Sequence, residues 1–192
     1  MLFAPLAVAA LTATGLAVAG PGGPSAHSAS ATFSATTVTR AKLTTCTINS
    51  SDTFASTLAT YTGTASSSDA RLNGTLRIRA ASLVDTNSGI GRVVGVFRIR
   101  SSNGVGAHGS INAVVANGDA TGAAIGRVNG PGGQLAATLS SPFDPADGWG
   151  ASSAGSLGTG TSAGSGVVLN GPFCHQWHKH PLKWLRKHRH HR

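Results

Sequence analysis

A chain of 192 residues with a formal net charge of +9, 26 glycines and 5% aromatic residues has room for one domain and a tail, not for two cores. Fifteen Lys and Arg stand against six aspartates, and glutamate is absent. Glu, Gln, Lys and Met are scarce while Thr, Val, Ser and Gly abound, a balance that excludes long charged helices and favours strands and tight turns.

Leu2 to Ala19 are apolar or small apart from Thr12 and Thr14, and Gly20, Pro21, Gly22, Gly23 and Pro24 then break any helix. This is the form of a secretory signal lacking its usual basic start, and residues 1–31 read as signal and low-complexity leader. Small residues place cleavage after Ala19 or after Ala31. An uncleaved anchor is the alternative, since 18 residues lie at the short limit of a membrane span. Export through an oxidising compartment makes a disulfide between Cys46 and Cys174 the natural expectation. Two buried thiols, or Cys174 as a metal ligand beside His175, are the alternative.

Residues 32–174 form the expected domain. Its first strand runs from Val38 to Ile48 and its second from Thr57 to Ala65. Next, Leu72, Gly74, Leu76, Ile78 and Ala80 alternate with Asn73, Thr75, Arg77 and Arg79, the period of a half-buried strand. After a turn at Thr86 to Gly89, Val93, Gly95, Phe97 and Ile99 share one face, with Arg92, Val94, Val96, Arg98 and Arg100 on the other. Asn103-Gly104 is a hairpin signal, followed by Val105, Ala107, Gly109, Ile111, Ala113 and Val115 on one side. Asn117-Gly118-Asp119 turns into a strand through Ala123, Ile125 and Arg127, and Asn129 to Gly133 turns into Leu135, Ala137 and Leu139. A last strand is expected at Val167 to Leu169. Ser140 to Ser165, rich in Gly, Ser and Pro, reads as a long loop.

About eight short antiparallel strands make a meander that must hide its edges. The fold class is therefore all-β, a meander closed into a barrel, with a β-sandwich as the alternative. Glycines at the inward positions Gly74, Gly95 and Gly109 suit strongly curved strands.

Arg71-Leu72-Asn73-Gly74-Thr75-Leu76 and Gly95-Val96-Phe97-Arg98-Ile99, set between Gly-centred turns, resemble the small eight-stranded barrels of the allene oxide cyclase and dirigent superfamily and similar secreted bacterial proteins. The resemblance covers about Thr57 to Leu139 and implies architecture. It does not carry cyclase activity over, because the family's acidic catalytic residues have no counterpart in a chain without glutamate.

Catalytic signatures are missing from the body: there is no Gly-x-Ser-x-Gly elbow, no His-Glu-x-x-His and no phosphate loop. No catalytic residue and no cofactor is assigned. His108 reads as a solvent-facing or lumen-edge residue, and its use as a general base would need Asp85 or Asp119 within reach. A turn centred between Asn87 and Ser88 sets Arg77 directly opposite Arg98. Opposed like charges are mildly destabilising, so Arg77, Arg79, Arg98 and Arg100 form either an anion site or a solvated face.

Residues 175–192 form a basic, His-rich tail expected to be disordered, which carries six of the net nine positive charges in 18 residues. Lys179, Lys183, Arg186, Lys187, Arg189 and Arg192 are its candidate anion-binding residues. After Pro181, Leu182, Trp184 and Leu185 could lie against an anionic surface. His175, His178, His180, His188, His190 and His191 are weak metal candidates, because a flexible end lacks the fixed geometry of a structural zinc site. Together these features point to a secreted, non-enzymatic barrel held at an anionic cell-envelope polymer or lipid surface, with nucleic acid an unexpected partner for an exported protein. The competing expectation is a small-molecule carrier or cyclase-like enzyme that uses the barrel interior.

Overall fold

Alternating residues fold into nine strands in the computed structural model, which describes residues 30–48, 52–129 and 133–158. They are β1 (Ala31–Ile48), β2 (Asp52–Ser67), β3 (Gly74–Asp85), β4 (Gly91–Arg100), β5 (Gly106–Ala116), β6 (Asp119–Val128), β7 (Gly133–Asp144), β8 (Gly148–Trp149) and β9 (Gly155–Gly158). Strands β1 to β7 pair antiparallel with their sequence neighbours. Strand β9 then fills the seam, pairing Leu139 with Leu157 on the β7 side and Phe33 with Gly155 on the β1 side. The sheet thereby closes into an eight-stranded antiparallel barrel. Closure removes the edges that an open meander would expose.

The turns follow the local chemistry. Asn117 at φ 53° and Gly118 at φ 81° supply the two positive dihedrals of a tight hairpin, joining Ala116 directly to Asp119. At the β3–β4 turn the Asp85 carboxylate accepts from the Asn87 N–H at 2.9 Å and from the Ser88 hydroxyl at 2.8 Å. These hydrogen bonds hold its pKa below the ordinary carboxylate range. Gly109 and Gly126 stand opposite each other, and a Cβ on Gly109 would meet the Gly126 Cα at 2.6 Å. Two adjacent strands thus approach there more closely than side chains allow.

Inward positions fill the lumen. Leu76, Ile78, Val93, Phe97, Ile99 and Ile111 are all at most 5% exposed and belong to one cluster. The expected inward faces of β3, β4 and β5 are those observed. On β6 the inward residues are Ala120, Ala124 and Val128, so the named positions Ala123, Ile125 and Arg127 take the opposite parity, and Ile125 is exposed. Parity decides this completely, because one residue of shift moves a whole strand face. Val94 lies outward as expected but is buried, as are Ala81 and Leu83, outside the lumen cluster.

Two expectations need correction. β1 starts at Ala31, seven residues before Val38, because its polar Thr and Ser positions mask the alternation of Ala31, Phe33 and Ala35, all buried. The expected loop from Ser140 to Ser165 contains the end of β7 and all of β8 and β9. Pro142 sits within β7 near its end, where a missing donor is tolerated. The expected strand at Val167 to Leu169, the leader and the tail lie outside the described residues.

Strand β8 enters at a bulge in β1 between Ser34 and Thr37, pairing Trp149 with Ala35 and with Phe143. Trp149, fully buried, packs on Phe143 at a centroid distance of 4.5 Å, and Phe143 meets Tyr61 edge-on at 6.1 Å. The Tyr61 hydroxyl donates to the Pro145 carbonyl at 3.0 Å. Burial, then the Asp144 carboxylate, pushes the Tyr61 pKa far above the ordinary phenol range. Tyr61 is the only tyrosine, so absorbance at the phenolate band reports it alone. A raised folded pKa favours the fold fully below the unfolded value of about 10 and loses that contribution as pH rises above it. Phenolate should therefore appear only together with alkaline unfolding. A reversible phenolate near pH ~10 in folded protein would contradict the burial.

Candidate functional site

The interior comes first, because a barrel can hold a ligand only if side chains leave space. Among the described residues, Phe33, Leu76, Ile78, Phe97, Ile111 and Leu139 help to line a cavity inside the barrel, and all of its lining side chains are apolar. About 10 Å³ is open to the centre of a water molecule, the threshold for holding one water. The lumen is a core.

The outer wall carries the charge. Arg77 pairs directly with Arg98, the register that the Asn87-Ser88 turn centre implies. The same rung continues from Arg98 to His108 and from His108 to Arg127. Four basic side chains therefore stand in one row across β3, β4, β5 and β6, at the strand spacing of about 4.8 Å. All four point outward and are exposed, since their chain neighbours Leu76, Ile78, Phe97, Ile99, Ala107 and Val128 point inward. Arg100 is exposed one outward position beyond Arg98, while Arg79, outward from Arg77 in the other direction, is half-buried. His108 and Arg127 escaped the sequence reading as anion contacts. The missing signal was the next two hairpin registers: the Asn117-Gly118 turn centre pairs positions that sum to a constant and so places His108 beside Arg127.

The acids sit elsewhere. Asp69 is ion-paired with Arg71 at 2.7 Å. Asp85 ends β3, Asp119 opens β6 and Asp144 ends β7, and these lie at one rim, since Val84, Gly91, Val115, Ala120 and Ser141 occupy successive rungs there. From His108 that rim is seven residues along β5, roughly 23 Å. Neither Asp85 nor Asp119 can orient His108 as a general base, because such a pair needs hydrogen-bond contact. The gap also exceeds the screening length of about 8 Å at physiological salt, so the row is not neutralised by the acidic rim.

No group of three or more potential metal ligands occurs among the described residues. The tail positions Lys179, Lys183, Arg186, Lys187, Arg189 and Arg192, with His175, His178, His180, His188, His190 and His191, lie outside them, as does Cys174. Cys46 is half-buried on β1 opposite Phe54, and there is no free cysteine among the described residues. Comparison with protein-family models, with curated proteins and with solved structures finds no match.

Proposed function

We propose that this is a secreted, non-enzymatic β-barrel that binds anionic envelope polymers or surfaces through its basic tail. The observation that carries the reading is the concentration of six of nine net positive charges in 18 residues, joined to a barrel whose lumen is packed with apolar side chains. A lumen packed in this way supports a role for the outer surface and the tail. The signal-like leader supports export, and a cleavage after Ala19 would leave the whole of β1 in place, whereas one after Ala31 would remove a buried, paired residue. The carrier or cyclase-like alternative requires a cavity of several hundred Å³, and the packed lumen counts against it.

Deleting residues 175–192 should abolish retention on anionic envelope preparations, and moderate salt should release the intact protein, because exposed charge contacts are screened. Unchanged retention after the deletion would overturn the proposal. Retention lost in the deletion but insensitive to salt would show that the tail acts through its Trp and Leu side chains instead of its charge.

A further inference from the structure

We infer that the barrel wall holds a second anion site, independent of the tail, in which the row Arg77, Arg98, His108 and Arg127 binds a linear polymer of closely spaced phosphates. Like charges placed on successive rungs destabilise a sheet, and no ion pair among the described residues compensates them. None of these four side chains makes an ion pair or hydrogen bond with the described residues, so their donors are available. A guanidinium binds phosphate oxygens through two parallel N–H groups, and an imidazole adds one N–H. Repeated at about 4.8 Å, such donors match a chain whose anionic groups recur at short intervals better than they match a single small anion.

Shape decides between polymer and bilayer. Barrel strands tilt by about 35–45°, so a row perpendicular to them winds around a convex wall. A flat headgroup layer touches a convex surface along a narrow strip, leaving one end of the row in solvent. A flexible linear polyanion can bend with the wall and meet all four residues.

The test uses the full chain with its six tail Lys and Arg changed to Gln, at about pH 8 so that histidine side chains are mostly neutral and the tail is electrically silent, and long-chain inorganic polyphosphate as the probe. R98Q/R127Q in that background should weaken polyphosphate binding at least tenfold. K42Q/R92Q removes the same charge from exposed positions off the row and should change it less than threefold. By the counterion-release slope of about 0.7–0.9 per phosphate contact, R98Q/R127Q should also reduce the salt dependence by roughly 1.5. Its melting temperature should stay level or rise, because a like-charge contact is relieved. If that variant fails to fold, R77Q/R127Q carries the same comparison. Equal losses in the on-row and off-row doubles, or no polyphosphate binding once the tail is silent, would overturn the wall site. Stronger binding to phosphatidylglycerol vesicles than to polyphosphate, lost in R98Q/R127Q, would overturn the linear-polymer reading. The tail deletion tests the tail separately, so the two proposals fail independently.

Discussion

Trp149→Ala is expected to lower the stability of the barrel by about 3–5 kcal/mol, the range for removing a fully buried large aromatic side chain. Trp149 joins β8 to both β1 and β7 and stacks on Phe143, so the truncation empties the space between the sheet seam and the Tyr61–Phe143 pair. The indole Nε1 is buried with no hydrogen-bond partner among the described residues, and an orphaned buried donor costs about 1–3 kcal/mol. Trp149→Phe removes that cost while keeping a ring, so it should lose much less than the alanine variant. Denaturant unfolding of the two variants separates packing from polarity. A loss below about 1 kcal/mol for Trp149→Ala would mean that β8 is not part of the cooperative unit.

The inward faces of β3, β4 and β5 were legible because their strands alternate cleanly and their hairpins carry Gly or Asn at the turn. The Arg77–Arg98 register followed from a turn centre alone, since antiparallel pairing is fixed once a hairpin is placed. The closing strand was not legible. Gly155-Ser156-Leu157-Gly158 has a single large apolar residue, and its identity as β9 comes from pairing with β7 and with β1, the latter far away in sequence. Propensity weakens where a strand is short and its environment decides. The same limit hid Phe143 and Trp149, whose aromatic side chains stood in a stretch composed like a loop. Of the candidate site, the basic residues were visible one by one. Their arrangement as a row of four required registers of three successive hairpins.

The disulfide gives the other large effect. Oxidised secreted protein should contain a Cys46–Cys174 bond, and Cys46→Ser/Cys174→Ser should lose up to about 5 kcal/mol, the chain-entropy value for a loop longer than 100 residues. For a protein of this size that corresponds to a fall in melting temperature of roughly 10–20 °C. Strand β9 pairs with Ala31, Thr32 and Phe33, and Cys46 lies near the other end of β1, opposite Phe54. Hydrogen bonds close the seam, and the bond would act mainly by restricting the unfolded chain. The reduced protein should therefore keep the far-ultraviolet signature of a barrel while melting earlier, and the double serine variant should match it. Intact mass without reductant should be two hydrogens below the reduced mass, with no thiol open to alkylation. Two alkylatable thiols in native secreted protein would refute the bond. A double variant that retains the wild-type melting temperature would refute the proposed stabilisation, and one that loses β structure would place the bond in the closure itself.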